Sequence, residues 1–158
     1  MKEMKSWPYA ARLVLFLILN FGGLALGSFF TSEAVRGEWY QGLNKAPWTP
    51  PGWFFGFAWT SIMVCFSIWL ASSVRSFDKK LLLWYVAAWM LNVAWNPLFF
   101  LLHQTSIALV VLLLLTTQIM LQAFASIKKK DRSGFLLGPY ALWLLVASSL
   151  NVWVVYMN

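Results

Sequence analysis

The chain has 158 residues, of which 61% are hydrophobic and only 11% charged, and its mean hydropathy is +0.68. A water-soluble domain of this length has too little interior to hide so much apolar side chain, so lipid must act as part of its solvent. The net charge of +7 is spread over short breaks between apolar runs; with no basic face on a folded domain, nucleic acid is excluded as a partner, and the pattern matches topology signals and contacts with anionic lipid.

Crossing the hydrocarbon takes runs of about 18 to 23 residues. Five are found, at roughly 9–30, 52–74, 81–102, 105–127 and 135–157. The predicted fold class is all-α: one polytopic domain over 1–158, a five-transmembrane-helix bundle with a short helix in the first loop. Links as short as those after the second, third and fourth runs force sequential helices to lie antiparallel and side by side. The odd number of spans and the lack of an internal repeat argue against an inverted-repeat transporter.

Lys2, Lys5 and Arg12 precede the first run in the manner of a signal peptide. The run from Leu13 to Phe30 is long enough to span, however, and no clear A-x-A site follows, so a retained helix is expected. Gly23 and Gly27 form a G-x-x-x-G that serves close packing within the chain or a seam between copies, the first reading being preferred. Thr31 or Ser32, followed by Glu33, is expected to cap the short helix, which runs to about Gly42.

Between the first and second runs lies WYQGLNKAPWTPPGWFFGFAW, Trp39 to Trp59. Pro47, Pro50 and Pro51 keep its middle out of regular helix. Indoles and phenols suit a boundary that is apolar on one side and wet on the other. The segment therefore reads as a stiff aromatic loop capping the mouth of the bundle.

In the second run Phe55, Trp59, Met63 and Phe66 recur at helical spacing. Cys65, the only cysteine, excludes a disulfide within the chain and reads as a small buried hydrophobe. In the third run Asn92 and Asn96 lie one turn apart, interleaved with Trp95 and Phe99, and Pro97 interrupts the hydrogen-bond ladder. A haem ligand and a capping or interface residue are the two readings of His103, the only histidine, and the second is preferred for a lone His at a turn. In the fifth run Pro139, Tyr140, Trp143, Ala147, Leu150 and Asn151 share or border one face; Gly134 and Gly138 repeat the small-residue spacing at its start. Any one of these aromatic residues reads as packing between helices; taken together, facing aromatic stripes beneath an aromatic lid describe a slot for a flat apolar ligand, with neutral amides as interhelical hydrogen-bond partners.

Conventional catalysis has little to work with. Glu3, Glu33, Glu38, Asp78 and Asp131 all lie in loops or tails, and there is no carboxylate pair, Cys/His cluster or glycine-rich phosphate loop. No metal or cofactor is expected. Lys2, Lys5, Arg12, Arg75, Lys79, Lys80, Lys128, Lys129, Lys130 and Arg132 fall on one side of the membrane, against Arg36 and Lys45 on the other. The bias predicts a cytoplasmic N-terminus and an outer C-terminus, with the aromatic loop outside.

W-Y-x-x-L-x-K from Trp39 to Lys45, W-T-P-P from Trp48 to Pro51, L-N-x-x-W-N-P-x-F-F from Leu91 to Phe100, and P-Y-x-x-W followed by L-N between Pro139 and Asn151 together resemble the bacterial tryptophan-rich sensory proteins and their animal relatives, the mitochondrial translocator proteins or peripheral-type benzodiazepine receptors. The resemblance covers nearly the whole chain. It implies a five-helix bundle, often dimeric, in a membrane that is the plasma membrane for a bacterial member. The implied function is a receptor or sensor binding porphyrins of the protoporphyrin IX type and similar flat hydrophobic molecules, including benzodiazepine-site ligands. Motif by motif, it implies a ligand pocket lined by Trp39, Tyr40, Leu43, Trp59, Met63, Asn92, Trp95, Trp143, Ala147 and Leu150. Transport of the same ligands and light-dependent porphyrin breakdown are the alternatives, Trp59 being the catalytic candidate for the latter. The sterol motif of animal members needs Lys or Arg after its tyrosine; here Met157-Asn158 follow Tyr156.

Overall fold

A computed structural model describes residues 7–74, 79–129 and 131–158. The described elements are helical: α1 (Tyr9–Thr31), the short α2 (Glu38–Gly42), α3 (Gly52–Ser73), α4 (Lys79–Asn96), α5 (Thr105–Lys128) and α6 (Gly138–Met157). Single 3₁₀ segments stand at Ala34–Arg36 and Arg132–Leu137. Five of these helices, α4 being counted through Leu101, are long and apolar enough to cross a membrane.

Prolines set the starts. Pro8 and Pro51, at ψ 149 and 150, are extended residues immediately before α1 and α3, and Pro139 occupies the first turn of α6, where a missing N–H costs nothing. Pro97 acts differently because it falls within a span. It has no N–H to return to the carbonyl four residues back, and α4 continues from it as a π-helical turn over Pro97–Leu101. Leu102 N–H donates to the Pro97 carbonyl at 2.9 Å, and His103 then turns the chain at φ 54, in the left-handed region.

The helices form a ring in the order α1–α3–α6–α5–α4, with α4 closing back on α1. Its core holds Phe16, Met63, Phe66, Tyr85, Leu115, Tyr140 and Trp143, whereas Ile18, Phe29, Trp53 and Leu142 face outward, where lipid would cover them. A buried polar triad ties three helices together. Asn20 Nδ2 donates to Ser67 Oγ at 2.8 Å, and the Tyr85 hydroxyl donates to Asn20 Oδ1 at 3.0 Å. Each polar group has its partner, as an apolar interior demands.

Gly23 and Gly27 pack within the chain, against α4. A β-carbon on Gly23 would lie 2.6 Å from Trp89 Nε1, and one on Gly27 2.7 Å from Asn96 Nδ2. The second glycine pair does not behave alike: Gly134 is pressed against Ser126, while Gly138 has open space beside it. The expected cap at Thr31 or Ser32 is not made. Glu33 and Gly37 precede the two short helical pieces without side-chain caps; the Thr31 hydroxyl reaches the Gly27 carbonyl and Asn96 Oδ1 instead, tying α1 to α4. Cys65 is half-buried rather than buried, because it borders the packed face of α3.

At one end of the bundle the Arg12 guanidinium donates to the Val74 carbonyl, and Lys79, Lys80, Lys128, Lys129 and Arg132 cluster at the same helix termini. Lys2, Glu3, Lys5, Arg75, Asp78 and Lys130 lie outside the described residues. The proline-rich loop, with Arg36 and Lys45, occupies the opposite end.

Candidate functional site

The loop is strapped down by its own polar groups. Asn44 N–H donates to Asn158 Oδ1 at 2.8 Å, and Trp48 Nε1 donates to Ser149 Oγ at 3.1 Å. The Trp48 ring also meets Trp153 edge to face, with centroids 5.1 Å apart. Beneath, Ala46 is buried. The loop therefore rests on the last turns of α6, as its composition predicts for a cap.

Under this cap the aromatic residues gather into two clusters. In the first, Trp39, Tyr40 and Leu43 of α2 and its exit pack on Phe99, Phe100, Ala108 and Val154. Trp39 stacks on His103 at 3.9 Å between centroids and meets Phe99 edge-on. Tyr40 is tilted against Phe100, and Lys45 Nζ stands 4.5 Å from its ring centre, a cation–π contact. Burial pushes the Tyr40 phenol above its ordinary ionisation range, because a phenolate would lose its hydration there. His103 is thus an interface residue stacked on an indole, in keeping with the preferred reading of a lone histidine at a turn.

The second cluster lies between α3 and α6. Trp143 is 6% exposed and receives Phe54, Phe55 and Trp59 around its ring at centroid distances of 5.8, 5.2 and 6.4 Å. Trp59 also lies edge-on to Tyr140 at 6.1 Å. Met63 is buried below, and Ala147 packs on the same core. Trp143 Nε1 is buried and has no acceptor among the described residues.

Trp95 belongs to both clusters. Its ring stacks on Phe99 at 5.1 Å. Its Nε1 donates to Asn151 Oδ1 at 3.0 Å, and Asn151 Nδ2 donates to the Thr105 carbonyl at 3.0 Å. Asn151 is 2% exposed, so a single amide satisfies an indole from α4 and the first turn of α5.

Of the ten residues singled out from the sequence, eight fall in these clusters. Asn92 takes part through its backbone carbonyl, which accepts from Asn96 Nδ2 at 3.2 Å, and Leu150, half-buried on α6, lies outside both. Phe54, Phe99, Phe100 and His103 complete the setting. Phe99 was read from the stripe it shares with Trp95, and Phe100 was visible only as a motif residue; both are buried in the widened turn after Pro97. The rings touch one another, so a flat guest of several fused rings must part the two clusters or lift the loop. The arrangement offers π-faces and, among the described residues, indole N–H groups without an acceptor at Trp143 and at Trp153 beneath the loop. Among the described residues no group of His, Cys, Asp or Glu is placed to hold a metal ion.

Comparison with known proteins gives a match of the TspO/MBR family model to residues 13–157. The protein CrtK of Rhodobacter capsulatus is 32% identical over 139 residues, covering 85% of this chain and 84% of its own. The tryptophan-rich protein TspO of Archaeoglobus fulgidus is 32% identical over 158 residues, covering 98% and 99%. The human translocator protein is 33% identical over 142 residues, covering 82% and 83%.

Proposed function

This chain belongs to the TspO/MBR family of integral membrane proteins, and from that premise we propose that it is a receptor for porphyrins of the protoporphyrin IX type and similar flat hydrophobic ligands. The observation that carries the reading is Trp143: a nearly buried indole ringed by Phe54, Phe55 and Trp59, whose N–H has no acceptor among the described residues. An orphan donor in an apolar setting costs about 1–3 kcal/mol. A ligand bearing a carboxylate or carbonyl beside an extended π-face removes that cost and stacks on the same ring. Trp39, Tyr40, Leu43, Met63, Asn92, Trp95, Ala147 and Leu150 complete the proposed lining. The charge bias supports a cytoplasmic N-terminus with the C-terminus and loop outside, and the family resemblance supports the plasma membrane of a bacterial member. A homodimer, which the family resemblance implies, uses a face other than Gly23 and Gly27, since α4 already covers them.

Titration with protoporphyrin IX should quench tryptophan fluorescence saturably, and Trp143→Ala should weaken that binding. Non-saturating quenching equal to that of an unrelated membrane protein would overturn the proposal. One contact favours light-dependent porphyrin breakdown as the second reading. Trp59 lies edge-on to Tyr140, so an indole oxidised by a photoexcited ring has a phenol beside it as the next electron donor. Aerobic, illuminated turnover that vanishes in Trp59→Phe while binding persists would support it; bleaching at the free-pigment rate would exclude it.

A further inference from the structure

The charged side chains at the loop end of the bundle are Glu33, Arg36, Glu38 and Lys45, with the exposed imidazole of His103 beside them. Glu33, Arg36 and Glu38 are exposed, and Lys45 alone is half-buried. Its ammonium stands 4.5 Å from the centre of the Tyr40 ring, and no carboxylate among the described residues pairs with it. A partly buried cation without a counter-charge is costly, and a π-face returns only part of that cost. The backbone on either side is anchored. Asn44 N–H donates to Asn158 Oδ1 at 2.8 Å. Ala46 is 5% exposed, and its carbonyl accepts from Thr49 N–H at 2.9 Å and from Thr49 Oγ1 at 2.7 Å. The ammonium is therefore delivered to one place, the rim of the cluster in which Tyr40 packs on Phe100.

A flat guest that parts the clusters or lifts the loop passes this rim. An ionised acid is expensive in hydrocarbon, so a flat acid enters with its carboxylate trailing at the wet boundary, where the Lys45 ammonium stands uncommitted. We propose that Lys45 selects anionic tetrapyrroles over their neutral counterparts, pairing with a carboxylate at the edge of the bound ring while its stem lies along the ring's margin. Trp143 Nε1, in the other cluster, is then left for an uncharged acceptor. The inference rests on the porphyrin reading and adds to it the residue that recognises the acid.

Tryptophan-fluorescence titration of the detergent-solubilised full chain with protoporphyrin IX and with its dimethyl ester separates the charge from the ring. In Lys45→Gln the diacid should bind about tenfold more weakly, the worth of one charge-assisted hydrogen bond, whereas the ester should bind as it does to the unsubstituted chain. The ester titration thereby also checks that the variant is folded. Lys45→Arg should restore diacid binding, since a guanidinium pairs with a carboxylate at least as well. Arg36→Gln, which removes the same charge from an exposed position at the same end, should leave both titrations unchanged. Equal weakening of diacid and ester by Lys45→Gln would show that Lys45 only steadies Tyr40 and the loop. No change in either would show that the ring alone governs binding, and an equal loss of diacid binding in Arg36→Gln would point to the overall charge of this end. Each of these three results overturns the proposal. If neither porphyrin quenches the unsubstituted chain saturably, the receptor reading itself fails and takes this proposal with it.

Discussion

Trp95 and Asn151 share a hydrogen bond of 3.0 Å that links α4 to α6 where the two aromatic clusters meet. The same amide serves the Thr105 carbonyl. Asn151→Leu should leave the Trp95 indole without its acceptor and lower stability by about 1–2 kcal/mol, membrane-embedded bonds of this kind falling toward the low end of the range. Thermal unfolding in detergent would register the loss as a lower Tm. An unchanged Tm would mean that Trp95 finds another acceptor.

The glycine face of α1 makes a different prediction. Gly23→Val would drive a side chain into the Trp89 indole, which is held by its bond to the Leu19 carbonyl at 2.9 Å. The expected cost is about 1–3 kcal/mol, read as a fall in Tm with no change in oligomeric state. Dissociation of a dimer at unchanged Tm would show that the face belongs to a seam between copies.

Loop attachment is predicted to govern ligand entry. Trp48→Phe removes the bond to Ser149, and Asn158→Ala removes the pairing with Asn44. At a net worth of about 1 kcal/mol per bond, the double variant should speed protoporphyrin association roughly tenfold or more in stopped-flow quenching. An unchanged association rate would show that the ligand enters between helices.

Tyr40 supplies a pH dependence with a definite sign. Its phenol is held above the ordinary value near 10, so the folded loop favours the protonated ring. That contribution is fully present below the unfolded value and is lost as pH rises through the folded one. Hydrogen exchange of the 43–50 backbone, corrected for intrinsic rate, should accelerate above about pH 10, and Tyr40→Phe should remove that acceleration.

Much of this was legible in the sequence, for reasons that differ by residue. Hydropathy fixes the spans because a continuous apolar run of about 20 residues crosses lipid as a helix that satisfies its own backbone. Gly23 and Gly27 could be read as intramolecular packing because two small residues one turn apart invite a neighbour. The aromatic clusters followed from helical spacing on α3, α4 and α6. Leu150 did not follow, since a residue bordering a stripe can fall on either side of it. Thr31 was misread as a cap because a hydroxyl near a helix end has two uses, and only the proximity of Asn96 decides between them.

The widened turn after Pro97 carries one residue more than a regular helix would need over the same rise. It acts as slack taken up locally, so that Phe99 and Phe100 are both 8% exposed or less while the strand of chain on either side keeps its place. Removing a single residue between 98 and 101 should therefore tighten this stretch into ordinary helix rather than dislodge α5. The bundle would survive with its spans intact, and what would disappear is the inward pairing of two neighbouring phenyl rings on which α2 rests.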